Sequence, residues 1–297
     1  MRTETVDPRF VDIDSWPAAL AVEAMLDGQL SAVASLYSQI GAIAAAGDAA
    51  ATRLCKGGRL VYVGAGTSGR IAVQDGVELS PTYDWPENRL VFALAGGMPA
   101  LSESVEGAED DRNDAIAQIK GAAVSVNDVV IGVAASGHTP FTVAAIQQAR
   151  ADGALTIGVA NNAGTPLLLE AEHGLLADTG SELIAGSTRM KAGTAQKALL
   201  NILSTVIMLR CGLIYKGLMV NMRVSNVKLE ARARSIIQQI TGVDAGTADA
   251  AMKRADGSIK KAVLIASGLG PDQAEELLRQ NGENLRAALS QHSSMGV

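Results

Sequence analysis

The segment 180–197 places hydroxyls, glycines and cations directly before a long apolar stretch. The start of a helix has unsatisfied backbone N–H groups and the positive end of the helix dipole, so a segment of this kind can hold an anion. We expect Ser187, Thr188 and Lys191 to donate hydrogen bonds to a phosphate or a carboxylate there.

Two further loops, at 64–70 and 136–140, carry similar chemistry. Each follows a run of β-branched and apolar residues and precedes a helical pattern. The residues expected to bind a phosphate-bearing ligand in these loops are Gly66, Thr67, Ser68, Arg70, Ser136, Gly137, His138 and Thr139. An alternative interpretation makes Ser136 and Thr139 ordinary helix N-caps, which need no ligand.

The glycine spacing of the loop 64–70 also fits a dinucleotide-binding fingerprint, in which glycines let the backbone approach a pyrophosphate. That interpretation needs an acidic residue after the next strand, where it would bind the ribose hydroxyls. The strand-like run 90–94 is followed by Ala-Gly-Gly instead. We therefore interpret Thr67 and Ser68 as ligands of a single phosphate.

Composition narrows the class of protein. The chain of 297 residues is 48% hydrophobic and 3% aromatic, with a formal net charge of −6. An acidic chain without a basic stripe is not expected to bind nucleic acid. The N-terminus has no apolar signal core, and no stretch approaches the ~20 uninterrupted apolar residues of a membrane span. We expect a soluble, cytoplasmic protein that does not associate with a membrane.

The number and spacing of the cysteines and histidines do not indicate a metal centre. Two cysteines lie far apart, and three histidines are scattered along the chain. This usage predicts neither a disulfide framework nor a metal site. Among the histidines, His138 is the candidate for ligand contact because it lies in a phosphate-binding loop.

Strand-like and helical segments alternate through the centre of the chain. The predicted strands cover 59–63, 90–94, 129–134, 155–160 and 174–177. Such alternation predicts a parallel sheet with helices on both faces. In open parallel sheets the ligand binds beyond the carboxyl ends of the strands, which is where all three loops fall.

The flanking regions differ from this centre. Residues 1–17 look like an extended arm, and 18–54 read as one or two helices. Helical patterns at 224–240, 248–255, 259–267 and 271–289 predict a small C-terminal helical bundle. The predicted domains are an N-terminal arm with helices at 1–50, an α/β domain at 51–222 and a helical region at 223–297.

Four ordered runs, at 58–70, 105–110, 134–137 and 186–197, together resemble the N-acetylmuramic acid 6-phosphate etherase family. The hydroxyl-rich loops also resemble those of sugar isomerase (SIS) domains. The resemblance implies an SIS-type three-layer α/β/α sandwich with a five-stranded parallel sheet, and it makes 51–222 the sugar-phosphate-binding domain. It also implies a homodimer with active sites near the subunit interface, for which the alanine-rich N-terminal helices offer an apolar contact.

The resemblance further implies a cofactor-independent lyase of cell-wall amino-sugar recycling. Such an enzyme cleaves the D-lactyl ether of N-acetylmuramic acid 6-phosphate by elimination and water addition, giving N-acetylglucosamine 6-phosphate and D-lactate. The family's two catalytic glutamates fall at Glu78 and Glu109.

Elementary chemistry supports a need for two carboxylates. An ether oxygen must be protonated as it departs, while a base removes the proton at C2, so one acid and one base are required. We expect Glu78 to be the acid and Glu109 the base, and exchanged roles stay open. Without the resemblance, Glu78 would be interpreted as a solvated surface charge. Glu106, three residues before Glu109, is interpreted as structural.

Two regions of the sequence depart from the family pattern. Residues 75–82 read Asp-Gly-Val-Glu-Leu-Ser-Pro-Thr, where members commonly read Asp-Ala-Ser-Glu-Cys-Pro-Pro-Thr. His138 stands where an arginine is common. Two rival functions stay open: a non-catalytic sugar-phosphate sensor, which needs the loops but not both glutamates, and an aldose–ketose isomerase, which needs the base only. Release of lactate distinguishes all three.

Overall fold

The centre of the protein is a five-stranded parallel sheet. The computed structural model describes residues 1–224 and 226–295. The strands are β1 (Leu60–Gly64), β2 (Leu90–Leu94), β3 (Val129–Val133), β4 (Leu155–Ala160) and β5 (His173–Leu176). They pair in the order β2-β1-β3-β4-β5, and every pairing is parallel. The five predicted strands are confirmed, each to within one residue.

Helices surround the sheet and form the C-terminal region. In the described part of the chain they are α1 (Ala18–Ala34), α2 (Ile40–Leu54), α3 (Gly66–Val77), α4 (Leu79–Tyr83), α5 (Arg112–Gly121), α6 (Pro140–Ala151), α7 (Pro166–Glu170), α8 (Lys191–Arg210), α9 (Val227–Thr241), α10 (Ala245–Arg254), α11 (Ile259–Ala266), α12 (Pro271–Gln280) and α13 (Leu285–Met295). A short antiparallel hairpin, β6 (Ile214–Tyr215) and β7 (Leu218–Met219), follows α8.

The chain divides into two compact units. The main unit comprises Met1–Gly76 and Asn88–Ile207, and the helical unit comprises Val77–Glu87 and Met208–Val297. The sheet and the three hydroxyl-rich loops belong to the main unit. The three-part division at 1–50, 51–222 and 223–297 stays a prediction.

One face of the sheet packs against α5, α6 and α7. Val61, Val63 and Val130 are buried there with apolar residues of these helices. Gly132, Gly158 and Gly174 lie in register across three strands. A Cβ atom at Gly158 would stand 2.6 Å from the carbonyl oxygen of Leu167. The row of glycines therefore lets the covering helices approach the sheet closely, as tight packing requires.

The opposite face is tied to α3 and α8 by a buried polar cluster. Side chains alternate along a strand, so Tyr62 points away from its neighbours Val61 and Val63. Its hydroxyl donates to the Asp75 carboxylate at 2.9 Å, and Lys197 Nζ lies 3.7 Å from the same group. Burial raises the pKa of Asp75, against the opposing effects of Tyr62 and Lys197. Helices on both faces confirm the predicted three-layer architecture.

The N-terminal segment corrects one expectation. Residues 1–17 are not an extended arm but contain three 3-10 turns, Arg2–Glu4, Pro8–Phe10 and Ile13–Ser15. The Asp7 side chain accepts the Arg9 backbone N–H at 3.1 Å and pairs with the Arg9 guanidinium at 2.7 Å. An Asp before a proline supplies both a cap and a fixed φ, which favour a turn over an extended chain.

Two helical segments, Ala18–Leu54 and Lys191–Arg210, are long and apolar enough by length and composition to cross a membrane. Polar residues interrupt both segments, so neither is a run of ~20 uninterrupted apolar residues. In Lys191–Arg210, 56% of the most apolar 18-residue window is buried inside the protein, as in the core helix of a globular unit. Only 28% is buried in Ala18–Leu54, which leaves apolar surface exposed.

The helical unit has its own apolar core, built from α9 to α13 and the hairpin. The single pattern predicted at 271–289 divides into α12 and α13, because Gly282 and Glu283 between them adopt positive φ values of 58° and 61°. Lys260, which is 2% exposed, donates from Nζ to the Glu283 carbonyl oxygen at 2.7 Å. This buried contact holds the turn between the last two helices.

Candidate functional site

The first hydroxyl-rich loop joins β1 to α3. A Cβ atom at Gly64 would lie 2.8 Å from the Cα of Gly69, and Gly66 has a φ of +52°. The glycine spacing thus reflects a tight strand-to-helix turn, one of the reasons such spacing also occurs in dinucleotide sites. α3 begins at Gly66, so the N–H groups of its first turn and the hydroxyls of Thr67 and Ser68 lie together at the end of β1.

The second loop joins β3 to α6. Thr139 stands at the N-cap position of α6 without a capping side-chain hydrogen bond. Its hydroxyl lies 3.4 Å from the Ser136 hydroxyl, which accepts the His138 backbone N–H at 3.1 Å. The N-cap interpretation is therefore wrong for the Thr139 side chain, and that hydroxyl is available to a ligand. Gly137 has a φ of +71°, and a Cβ atom there would meet Thr165 Oγ1 at 2.2 Å.

The third loop differs from the sequence-based expectation. The fully buried carboxylate of Glu182 accepts the backbone N–H groups of Lys191 and Ala192 at 3.0 and 2.9 Å. The anion at the start of α8 is therefore the chain's own carboxylate. Lys191 Nζ donates to the Ser181 carbonyl oxygen at 2.9 Å, and burial lowers the pKa of Lys191. The backbone N–H groups of Lys191 and Ala192 are therefore already satisfied within the chain.

Most of the predicted site residues line one cavity of about 420 Å³. Its predicted lining residues are Gly66, Thr67, Ser68, Glu109, Ser136, His138, Thr139 and Thr188. Residues that were not predicted also line it: Met1, Glu4, Ala65, Asp110, Ala135 and Pro140. The volume lies within the ~300–1,000 Å³ of small-molecule sites.

The cavity offers two kinds of chemistry. Hydroxyls and the starts of α3 and α6 supply hydrogen-bond donors, and Glu4, Glu109 and Asp110 supply carboxylates. Within the described part of the chain, its lining contains no Lys or Arg. A phosphate here would be held by neutral donors and helix dipoles, and the carboxylates suit hydroxyls and proton transfer.

A second cavity, of about 390 Å³, shares Thr67 and Glu109 with the first. Arg70 lines this second cavity, and its guanidinium donates to the carbonyl oxygens of Ala100 and Glu103, both at 3.0 Å. Arg70 therefore anchors the segment that leads to Glu109. Glu109 itself is exposed on a 3-10 turn, Ala108–Asp110.

Five predicted site residues do not line the first cavity: Gly137, Ser187, Lys191, Arg70 and Glu78. Glu78 belongs to the helical unit, where it is exposed between α3 and α4. The catalytic assignments of Glu78 and Glu109 stay predictions. The sequence had no signal for Glu4, because residues 1–17 show neither a glycine-rich loop nor a strand or helix period.

In the part of the chain that the structure describes, no group of three His, Cys, Asp or Glu residues is placed to hold a metal ion. The expectation of a metal-free and cofactor-free site stays a prediction.

Two family models match this chain: the glucokinase regulatory protein N-terminal SIS domain over residues 42–150, and the SIS domain over residues 105–206. Fold and loops thus define a protein of the SIS class. A phosphoheptose isomerase structure from Francisella tularensis matches with a TM-score of 0.48 at 17% identity, covering 66% of this chain and 98% of that one.

Relatives identify the family more closely. An N-acetylmuramic acid 6-phosphate etherase from Deinococcus radiodurans is 46% identical over 100% of this chain and 97% of its own length. Another from Streptomyces avermitilis is 43% identical over 98% of this chain and 94% of its own length. The chain belongs to the N-acetylmuramic acid 6-phosphate etherase family, as its four motifs predicted.

Proposed function

We propose that this protein is a lyase that cleaves the D-lactyl ether of N-acetylmuramic acid 6-phosphate, giving N-acetylglucosamine 6-phosphate and D-lactate. Membership of the etherase family supports this activity, as does a cavity lined by two hydroxyl-rich loops together with Glu109. The product would return cell-wall amino sugar to metabolism.

The reaction assigns complementary roles to the two halves of the cavity lining. The phosphate binds at the starts of α3 and α6, where Thr67, Ser68 and Ser136 supply hydroxyls. In the open-chain sugar, the C1 aldehyde makes the C2 proton acidic. Glu109 removes that proton, and lactate then leaves C3 as its ether oxygen is protonated.

Glu78 is proposed as the acid that protonates the departing lactate. Without an acid, lactate would have to leave as an alkoxide, and an alkoxide is a poor leaving group. Water then adds at C3 of the unsaturated intermediate and restores the hydroxyl of the product. General acid and base groups of this kind each contribute about 10²- to 10⁴-fold to a rate.

Release of D-lactate from N-acetylmuramic acid 6-phosphate tests the proposal directly. We expect release by the purified protein and a loss of about 10²-fold or more in Glu78→Gln and in Glu109→Gln. Glu172→Gln, an exposed carboxylate of the main unit outside both cavities, serves as the control and should keep full activity. A folded wild-type protein that binds the sugar phosphate but releases no lactate would contradict the proposal and favour a sensor.

The assembly is proposed to be a homodimer formed through the N-terminal helices. An apolar groove of about 410 Å³ lies along α1, α2 and α8 of the main unit. Val33, Tyr37 and Ile40 beside it are 46%, 79% and 61% exposed. A contiguous apolar face of this kind is typical of a protein–protein interface.

We place the protein in the cytoplasm. The chain has only two cysteines, which lie too far apart in sequence to indicate a disulfide framework. Thiols are retained in a reducing compartment. The proposed substrate is a phosphorylated sugar. Its charge prevents free passage through a bilayer, so it is retained in the compartment in which it is formed.

A further inference from the structure

Hydrogen bonds hold the first residues of the chain against the loops at the carboxyl ends of the strands. Thr3 is fully buried, and its hydroxyl accepts a hydrogen bond from Asn162 Nδ2 at 3.1 Å. Asn162 Oδ1 accepts the Arg2 backbone N–H at 2.8 Å. Asn162 follows β4 and also donates to the Ala135 carbonyl oxygen at 2.9 Å. One asparagine thus joins the N-terminal segment to the loop after β3.

Further contacts join the same segment to the third loop. The Gly186 backbone N–H donates to the Thr3 carbonyl oxygen at 3.0 Å. Ser181 donates from Oγ to the Asp7 carboxylate at 3.0 Å. The hydrogen bond from Arg9 holds the pKa of Asp7 well below its usual range, against the opposing effect of burial. Residues on both sides of position 4 are therefore tied down, so the intervening residue has a defined place.

Glu4 occupies that place at the wall of the first cavity. Its carboxylate lies over the third loop, because a Cβ atom at Gly186 would stand 2.9 Å from Glu4 Oε2. Among the described residues, no hydrogen bond or ion pair engages the Glu4 side chain. A carboxylate held at a ligand cavity without a protein partner has acceptor capacity left for a ligand.

Charge decides which part of a ligand Glu4 can contact. A carboxylate repels a phosphate, so Glu4 does not contribute to the phosphate subsite formed by Thr67, Ser68 and Ser136. A neutral donor, either a sugar hydroxyl or an acetamido N–H, would be accepted by Glu4 in a charge-assisted hydrogen bond.

We propose that Glu4 is a substrate-binding residue that accepts a hydrogen bond from a neutral donor of the sugar, and that the N-terminal segment is thereby part of the active site. This inference rests on the proposed sugar-phosphate substrate. The carboxylate positions the sugar and discriminates against ligands that carry an acceptor or a negative charge at that point.

The test measures binding of two ligands by calorimetry to the full chain: N-acetylglucosamine 6-phosphate and inorganic phosphate. Glu4→Gln should raise the Kd of the sugar phosphate by up to about 10-fold, since a charge-assisted hydrogen bond becomes a weaker neutral one. The Kd of inorganic phosphate should stay unchanged or fall, because the substitution removes a like charge. Asp14→Asn, an exposed carboxylate of the same segment outside the cavity, should leave both values unchanged.

Glucose 6-phosphate, as a third ligand, separates the two donor types. A loss of affinity confined to the acetamido sugar assigns the N–H as the donor, whereas an equal loss for both sugars shows that the acetamido group is not required. Either result supports the proposal. Unchanged sugar-phosphate binding in Glu4→Gln would overturn it. An equal weakening of sugar phosphate and inorganic phosphate would also overturn it, because it would show that the substitution disturbs the whole site.

The outcome is independent of the catalytic assay. A wild-type protein that binds the sugar phosphate without releasing D-lactate refutes the proposed reaction and leaves the Glu4 comparison intact. A wild-type protein that releases D-lactate, together with an unchanged Kd of the sugar phosphate in Glu4→Gln, supports the reaction and refutes the Glu4 proposal alone.

Discussion

The buried carboxylate of Glu182 accepts the backbone N–H of Ala192 at 2.9 Å. It also accepts the N–H of Lys191, so two orphan donors at the start of α8 are satisfied from within the chain. This relationship excludes a substrate phosphate from those two N–H groups. The first cavity is lined instead by the hydroxyl-bearing loops before α3 and α6 and by Thr188.

Glu182→Gln tests how much these two hydrogen bonds contribute to the free energy of unfolding. The amide presents one acceptor oxygen to two donors and removes the negative charge that complements the helix dipole. We expect the free energy of unfolding to fall by about 2 kcal/mol, the scale of hydrogen bonds to a charged group. Urea denaturation measures it, with the exposed Glu172→Gln as control. Equal stability of the two variants would show that the buried charge contributes nothing net.

The acid and base roles are separable by hydrogen exchange at C2. When the reaction is run in heavy water, Glu78→Gln should keep the base and exchange the C2 proton of the substrate without releasing lactate. Glu109→Gln should do neither. Mass spectrometry of the recovered substrate measures the exchange. The reverse pattern would exchange the two roles, and full activity in either variant would refute the two-carboxylate mechanism.

His138→Arg should strengthen phosphate binding. The described lining of the first cavity has no Lys or Arg, and His138 lies at the start of α6 beside Ser136. A guanidinium there would add charge-assisted hydrogen bonds to the phosphate. We expect the inhibition constant of inorganic phosphate to fall about 10-fold, the equivalent of ~1.4 kcal/mol. His138→Gln is the uncharged comparison, and equal constants in both variants would place the side chain away from the phosphate.

Lys260 makes the stability of the protein depend on pH in the alkaline range. Burial lowers its pKa from 10.5 to about 8, partly opposed by Glu283. Between these values the unfolded chain binds the proton and the folded protein does not, so stability rises as the pH increases from about 8 to about 10.5. The rise amounts to about 3 kcal/mol when about 1.4 kcal/mol is assigned to each pH unit.

The comparison with Lys260→Met isolates this contribution from other titrating groups. Chemical denaturation of both proteins at pH 7 and at pH 10 gives a stability difference at each pH. We expect the wild type to gain on the variant by about 3 kcal/mol between the two conditions. A difference that is constant with pH would show that Lys260 keeps an ordinary pKa.

The apolar face of the N-terminal helices should hold two subunits together. Ile40→Glu places a charge on that face and should convert a dimer into a monomer, because an unpaired charge is costly to bury. Sedimentation velocity measures the mass. Leu169→Glu is the matched control, since Leu169 is also apolar and 73% exposed in the main unit but lies on α7. A wild-type monomer, or a dimer that persists in Ile40→Glu, would contradict the proposed assembly.

Much of the fold and part of the site follow from local sequence. Runs such as 60–64 and 129–133 have the β-branched composition of buried parallel strands, and each is followed by a turn with glycine and hydroxyl residues. Parallel strands bring their carboxyl ends to one edge, which is why Thr67, Ser136 and Thr188 line one cavity. The four motifs also sufficed to identify the family.

The tertiary structure decided how individual polar groups are used. Lys191 and Arg70 have the residue type of phosphate ligands, yet their side chains donate to protein carbonyl oxygens. Those partners are brought close by folding, and sequence spacing alone does not indicate them.

The N-terminal segment shows the same limit most clearly. Thr3 and Asn162 are separated by 159 residues but share a hydrogen bond, and that contact is what places Glu4 at the cavity. The sequence by itself determined the strands, the loops and the family, because these depend on local periodicity and composition. Which donor meets which acceptor was decided by long-range packing, since a buried polar group is stable only where the folded chain supplies its partner.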